Sequence, residues 1–422
     1  MNRFLVVVGS FSCGWLLCKY KRIFQLYLFR TLRNFGLGNL IPLLSHSFVD
    51  YRYCKSNEFS IDNLPKPSLN GVIGLVGNTP MIKLNSLSKL TGCTIMAKVE
   101  YFSPSGSSKD RFVLNCLENN LMNEQVLKNA VDSKKEDIVQ ISDLDNPTYN
   151  KTGIASNENI HYKGVIEATS GSTGISFALL SKLKGLQCTI VMPSDIAAEK
   201  KRLIQLFGAS LLSVKPASIV DPEMYVNVAK EEAVRNSSNT IYGNQFESDL
   251  NWKVHYSRTG PEIWFQTCGC IDAFVVGAGT GGTIAGVSRY LKERNANIQI
   301  IVADPQGSGI YNRVKHGTLY SSSEAEGTRS RHQVDSIVEG IGLNRLTSNF
   351  EHALIDDAVK VSDEEAMEMS RYLLYHEGLF VGPSSAVHCA AAVKVAKQLG
   401  PNHMVVTELC DQGYKYLSKF WS

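Results

Sequence analysis

The sequence lacks the cysteine pairs of a metal site or a disulfide framework. Its ten cysteines are scattered and contain no CxxC pair, and Cys268 and Cys270 have no second Cys/His pair at zinc spacing. The sequence also has no visible internal repeat and little net charge, +3 over 422 residues. We therefore expect no bound metal, no repeat architecture, and free thiols in a reducing compartment.

A clear excess of charge of one sign occurs only at the N-terminus. Residues 1–55 hold eight basic residues and one acid, so they carry +7 and the rest of the chain carries −4. A basic leader on a mildly acidic body indicates a targeting or membrane role. It argues against a nucleic-acid partner.

The apolar run in this leader, residues 4–18, is short. As a helix it would span about 22 Å, less than the hydrocarbon thickness of about 30 Å. Basic residues flank it at Arg3 and at residues 19–22. We expect a signal anchor of the mitochondrial outer membrane with a basic linker, over residues 1–70, and the remaining chain on the cytosolic face because more positive charge follows the run than precedes it. A cleaved secretory signal and a matrix presequence are the alternatives.

What the sequence does contain is three loops of small residues. The first, residues 104–111, places Lys109 between Ser108 and Asp110 just before a helical run. Small neighbours let a bulky planar cofactor approach the backbone, and a lysine presented in this way can condense with an aldehyde. Lys109 is therefore a candidate Schiff-base lysine, and an ordinary solvated lysine is the alternative.

The other two loops each follow a strand-like run and precede a helical one. Backbone amides at such a helix start attract an anion. The loop at 169–174 suits a small carboxylate, and the glycines of the loop at 277–283 permit amides to wrap a phosphate. Taken singly, either loop is equally well explained as a packing turn.

Strand-like runs at residues 94–99, 188–192 and 298–303 alternate with helical ones. Continuous apolar strands between helices predict an α/β protein with doubly wound parallel sheets. We expect one domain at 71–248, with Lys109 and the carboxylate loop, and another at 249–422, with the phosphate loop. Polar residues 124–163 are expected to form a flexible surface insertion, and residues 321–327 a second loop.

In this order and at these separations, the three loops resemble the fold type II enzymes that use pyridoxal phosphate, and within them the cysteine synthase and cystathionine beta-synthase family. The resemblance runs from about residue 71 to the end, implies a tryptophan synthase beta-like fold, and is strongest to the mitochondrial cysteine synthase-like branch. Further matching segments are 74–81, 243–246, 259–264, 338–342, 382–385, and 411–413 with Tyr416.

The resemblance implies pyridoxal 5'-phosphate as the cofactor and Lys109 as the residue that holds it and moves the substrate α-proton. Ser384 would face the pyridine nitrogen. The residues implied for the phosphate are Gly279, Thr280, Gly281, Gly282 and Thr283. Those implied for the substrate carboxylate are Thr169, Ser170, Gly171, Ser172, Thr173 and Gln245.

The activity implied by the resemblance is β-replacement on O-acetylserine with sulfide, giving L-cysteine and acetate in a homodimer. Condensation of serine with homocysteine, and a cofactor-binding membrane-tethered protein with little activity, remain alternatives. Ser172 stands where the family generally has asparagine, and its hydroxyl has one donor in place of two. Ala386 replaces a usual glycine. Asn78 is predicted to cap the turn before Pro80 and not to contact the cofactor.

Overall fold

The computed structural model describes residues 71–136, 162–217, 220–237, 239–320 and 336–422. The predicted anchor and linker at 1–70, and the predicted loop at 321–327, lie outside these ranges. Within them, no helix combines the length and the apolar character that crossing a bilayer requires.

The larger sheet has six strands in the order β1-β2-β10-β7-β8-β9. The edge strand β1 pairs with β2 in antiparallel fashion, and the other pairs are parallel. Its strands are β1 (Met81–Lys83), β2 (Thr94–Val99), β7 (Ala273–Val276), β8 (Gln299–Pro305), β9 (Asp357–Val361) and β10 (Met404–Leu409).

The smaller sheet has four parallel strands in the order β5-β4-β3-β6. They are β3 (Gly164–Ala168), β4 (Gln187–Pro193), β5 (Ser210–Val214) and β6 (Thr240–Tyr242). The α/β class and the parallel sheets predicted from the apolar runs are thus confirmed, apart from the antiparallel edge strand β1.

Helices cover both sheets. The described α-helices are α1 (Asn85–Thr91), α2 (Lys109–Glu136), α3 (Ser172–Leu183), α4 (Ala198–Leu206), α5 (Tyr225–Arg235), α6 (Leu250–Val254), α7 (Gly260–Gln266), α8 (Gly282–Arg294), α9 (Ile310–His316), α10 (Ser348–Glu351), α11 (Asp363–Glu377) and α12 (Pro383–Leu399). A π-helical turn, His255–Thr259, joins α6 to α7.

Membership of the sheets corrects the predicted boundary near residue 248. Strands β1 and β2 lie in the predicted first domain, yet they belong to the larger sheet with the C-terminal strands. Ile95 of β2 is the register partner of Val405 in β10, and both are fully buried in one apolar cluster. Burial of these apolar side chains against each other, and not proximity along the chain, decides the pairing.

The predicted insertion at 124–163 also needs a correction. Helix α2 continues through Glu136, so the first part of this segment is helical. Its glutamine, lysine and glutamate residues are polar but favour a helix, and its leucine and alanine residues favour a helix as well. The rest of the predicted insertion, up to residue 161, lies outside the described residues.

Candidate active site

A cavity of about 260 Å³ lies where β3, β7 and β10 end. Ligand sites of open α/β sheets form at this carboxyl edge of the strands. Predicted site residues on its wall are Lys109, Thr169, Ser170, Gly171, Ser172, Thr173, Gln245, Gly279, Thr280 and Ser384. A smaller cavity beside it is also lined by Lys109, together with Gly281 and Thr283.

Two residues discussed from the sequence lie off these walls: Gly282, predicted to bind the cofactor phosphate, and Asn78, predicted only to cap a turn. Gly282 is the first residue of α8, and a side chain there would overlap the amide oxygen of Asn251. Asn78 is exposed, has a positive φ of 48°, and donates its backbone N–H to Glu262 at 3.1 Å. Asn78 therefore occupies a turn with a left-handed backbone conformation.

Lys109 is the first residue of α2 and faces both cavities. Its Nζ donates a hydrogen bond to Ser108 Oγ at 3.0 Å, and its backbone N–H donates to Ser107 Oγ at 3.3 Å. Below it, Asp110 accepts a hydrogen bond from the backbone N–H of Ser105 at 2.8 Å. The small residues of this loop therefore tie the turn to the helix start and leave the amine on the cavity side.

A buried ionic network supports this helix start. Arg111 donates through Nε to Glu100 and through Nη1 to Glu262, at 2.6 and 2.7 Å. Lys98 binds the same Glu262 at 2.6 Å. The two cations lower the pKa of Glu262 to about 2 against the opposing effect of burial. Two positive and two negative charges thus balance one another beneath the Lys109 loop.

The loop between β7 and α8 has the geometry of an anion cradle. Gly281 caps α8 with a φ of 87°, which favours glycine. A side chain at Gly279 would overlap the carbonyl oxygen of Gly340. Asn251 Nδ2 donates to Thr280 Oγ1 at 2.9 Å and holds that hydroxyl in place. Backbone amides at the start of a 13-residue helix fit a phosphate group.

His388 lies behind this loop as an uncharged ring. Its Nε2 accepts the backbone N–H of Gly277 at 2.8 Å, so Nδ1 carries the proton and donates to the carbonyl oxygen of Glu408 at 2.9 Å. Burial, reinforced by the charge of Lys109, lowers the pKa of His388 to about 4. The anion cradle, which is the predicted phosphate cradle, therefore offers amides and a helix dipole to an anion, without a charged histidine.

The predicted carboxylate loop links β3 to α3 and is tied to Gln245. Thr169 Oγ1 accepts the backbone N–H of Gly171 at 3.0 Å. Thr173 Oγ1 donates to Gln245 Oε1 at 2.7 Å, and Gln245 Nε2 donates to the carbonyl oxygen of Ala168 at 2.6 Å. Both ends of the Gln245 amide therefore bind the loop, which fixes its shape before any ligand arrives.

Ser172 makes a contact that was not predicted. Its hydroxyl donates to Asp411 Oδ2, which also accepts a hydrogen bond from Tyr416 OH at 2.8 Å. Although burial opposes ionisation, Lys415 and Lys109 lower the pKa of Asp411 to about 2. The Ser172 hydroxyl therefore already donates to an ionised carboxylate inside the protein.

Sequence reasoning missed four cavity-lining residues, namely Lys200, Glu339, Asp411 and Tyr416. Three of them lie in segments that matched the family, at 338–342 and at 411–416, but no pattern assigned them a role. Lys200 lies in α4 and had no sequence signal of its own. Among the described residues, no cluster of His, Cys, Asp and Glu has the geometry of a metal site.

Comparisons with known proteins show the family to which the chain belongs. The family described as "Pyridoxal-phosphate dependent enzyme" matches residues 72–411. The Schizosaccharomyces pombe protein "Cysteine synthase 2" is 46% identical over 371 residues, which are 86% of this chain and 86% of that protein. The Saccharomyces cerevisiae protein "Putative mitochondrial cysteine synthase" is 44% identical over 391 residues, 91% of each chain.

Among solved structures, the "Crystal structure of O-ureido-L-serine synthase" matches with a TM-score of 0.64. It covers 84% of this chain and 95% of its own, at 24% identity, so this likeness shows the fold alone. The family match and the relatives above 40% identity confirm the resemblance inferred from the loops. The chain therefore belongs to the pyridoxal-phosphate dependent enzyme family, and within it to the group that contains the cysteine synthases.

Proposed function

We propose that the chain is a cysteine synthase that replaces the β-acetoxy group of O-acetylserine with sulfide, releasing L-cysteine and acetate. The observation that carries this proposal is a single cavity that joins Lys109, the phosphate cradle and the carboxylate loop. The names of relatives above 40% identity support the reaction type.

Within this proposal, Lys109 holds the cofactor covalently, and the amides of residues 279–283 bind its phosphate. When bound, pyridoxal phosphate supplies an electron sink for the negative charge that develops at the substrate α-carbon. Lys109 Nζ accepts the α-proton as a general base. The loop at 169–173, held by Gln245, receives the substrate carboxylate through its amides and hydroxyls.

Ser384 faces the pyridine nitrogen in this proposal. It is the second residue of α12 and lines the cavity, whereas the neighbouring Ser385 is turned away and accepts the backbone N–H of Cys410 at 2.9 Å. A neutral hydroxyl does not sustain a protonated pyridine as a carboxylate would. We therefore expect β-elimination and replacement to be favoured over transamination.

The purified full chain, loaded with pyridoxal phosphate, tests the proposed activity. We expect cysteine to form from O-acetylserine and sulfide, and the Lys109→Ala variant to form none. Cystathionine formed from serine and homocysteine, without cysteine from O-acetylserine, would favour the alternative reaction. Equal rates for the wild type and Lys109→Ala would contradict an enzymatic role.

We further propose that residues 4–18 anchor the chain in the mitochondrial outer membrane, with the catalytic body facing the cytosol. The apolar run with basic flanks supports an anchor, and the name of the Saccharomyces cerevisiae relative contains the word mitochondrial. After carbonate washing of mitochondria, the chain should stay in the membrane pellet. Release into the supernatant, or loss of these residues from the mature chain, would contradict the anchor.

A homodimer is the assembly that the family resemblance implies, and we propose it for this chain. Sedimentation equilibrium of residues 71–422 should give twice the mass of the monomer. A mass equal to one chain across the micromolar range would contradict it.

A further inference from the structure

Glu408 is an ionisable residue in β10, a strand that lies in the protein interior. All six residues of β10 are buried, and the Glu408 side chain is 2% exposed. An ionised carboxylate without a partner is strongly disfavoured in such a place. No step of the proposed reaction uses Glu408.

Glu408 lines the smaller cavity, whose wall also includes Lys109 and the phosphate cradle. Its Oε1 accepts a hydrogen bond from Cys410 Sγ at 3.5 Å. The ring of His388 does not neutralise the carboxylate, because it is uncharged and donates to the backbone oxygen of Glu408. Burial and Glu408 raise the pKa of the Cys410 thiol well above its ordinary value, so that group is uncharged as well.

The other buried charges in this region pair among themselves. Lys98, the register partner of Glu408 on β2, binds Glu262, and Arg111 binds both Glu100 and Glu262. Asp411 has Lys415 at 3.9 Å. Among the described residues on the wall of the smaller cavity, Lys109 is therefore the cation left to face Glu408.

The titration behaviour of the two groups agrees with this pairing. Burial, with a smaller contribution from Glu100, raises the pKa of Glu408 to about 7, although Lys109 opposes the shift. Burial alone would lower the pKa of Lys109, but the acidic groups around it, Cys410 first and then Glu408, Asp411 and Glu100, outweigh burial and raise it. Each group thus favours the charged form of the other.

We propose that Glu408 is a positioning residue for Lys109: its carboxylate, on the wall of the same small cavity, stabilises the protonated Lys109 amine through space. Glu408 thereby sets the pH range in which Lys109 is a free amine. The proposal rests on Lys109 as the cofactor lysine but not on the choice of sulfur acceptor.

The pH dependence of cofactor capture tests this role without an activity measurement. The full chain is stripped of its cofactor, and the rate of pyridoxal phosphate capture is followed by visible absorbance across pH. Capture requires the free amine. The profile of Glu408→Gln should therefore shift to lower pH by about one unit, with about tenfold faster capture below the wild-type midpoint. The Glu408→Asp variant keeps the carboxylate, so its capture profile should lie closer to that of the wild type than the profile of Glu408→Gln does.

Asp304→Asn is the matched control. Asp304 is a buried carboxyl of the same sheet, with its pKa raised to about 6 by burial, but it does not line either cavity. Its variant should keep the wild-type capture profile. A Glu408→Gln profile that coincides with the wild type and with this control would overturn the proposal. Failure of the wild type to capture cofactor at any pH would overturn the Lys109 assignment together with it.

A reciprocal measurement remains available if Glu408→Gln does not fold. The infrared C=O stretch of protonated carboxyls is titrated in the cofactor-free full chain and in Lys109→Met. Because the coupling is mutual, loss of the lysine charge should move one carboxyl titration near pH 7 upward by about one unit. An unmoved titration would overturn the proposal.

Discussion

The Lys200 ammonium forms an ion pair with the Glu339 carboxylate on the wall of the larger cavity. Lys200 belongs to α4, beside the smaller sheet, whereas Glu339 belongs to the segment that packs on the phosphate cradle. The Lys200 side chain is 1% exposed and lies 4.2 Å from the centre of the Tyr416 ring. One buried ion pair therefore connects the two walls of the site.

Removal of Glu339 should be more damaging than removal of Lys200. Glu339→Gln leaves a buried ammonium without a counter-ion, which costs about 3–5 kcal/mol of the free energy of unfolding. In Lys200→Met, Glu339 keeps Lys419 at 3.0 Å, so we expect a smaller loss. Urea unfolding measures the free energy of unfolding of both variants. Glu231→Gln, in a pair that is about 60% exposed, is the control and should lose less than about 1 kcal/mol. Equal losses in Glu339→Gln and Glu231→Gln would contradict the argument.

Ser172→Asn should raise kcat/KM for O-acetylserine. The Ser172 hydroxyl has one proton and donates it to Asp411, whereas an amide has two donors and can bind Asp411 and the substrate carboxylate together. One added hydrogen bond to a charged group corresponds to about a tenfold increase. Steady-state kinetics at a fixed sulfide concentration measures kcat/KM for the wild type and for Ser172→Asn. A fall in kcat/KM, with the fold intact by circular dichroism, would show that the pocket is adapted to another substrate.

Lys109→Ala should abolish the visible absorbance of the cofactor-loaded protein. Borohydride treatment of the wild type should fix a pyridoxyl group on the peptide that contains Lys109, as measured by mass spectrometry. Lys89→Ala, at an exposed lysine of α1, should keep the colour and the adduct. An adduct on any other peptide in the wild type would refute the assignment of Lys109.

The titration of Glu167 should lower the free energy of unfolding as pH rises. It is 1% exposed, burial raises its pKa from 4.5 to about 8, and its Oε2 has no hydrogen-bond partner among the described residues. The folded state holds this proton more tightly than the unfolded state. The contribution is therefore fully present below pH 4.5 and is lost as pH rises toward 8, at about 1.4 kcal/mol per pH unit.

Glu167→Gln removes this titration and should flatten the dependence of unfolding free energy on pH between 4.5 and 8. Urea unfolding at several pH values measures the slope. The exposed Glu231→Gln variant should keep the wild-type slope. A Glu167→Gln slope equal to that of the wild type would show that Glu167 is ionised in the folded protein.

The local parts of the site could be predicted because their signals are local. A loop of glycine, serine and threonine between an apolar strand and a helix start implies exposed amides wherever it occurs, and both such loops lie at strand ends as expected. The small neighbours of Lys109 likewise indicate a turn before a helix start, and Lys109 is the first residue of α2. The loop predicted at 124–163 was wrong over residues 124–136, which are helical, because polar residues such as glutamine, lysine and glutamate also favour a helix.

The sequence by itself determined the elements, the two loops of small residues at strand ends and the place of Lys109 at a helix start, because backbone dihedrals and helix starts depend on neighbouring residues. Only the tertiary structure decided that β2 pairs with β10, that Asp411 meets Ser172, and that Glu408 shares a cavity with Lys109. These contacts join residues far apart along the chain. They form because apolar burial brings the strands together, and the charges then buried among them need partners.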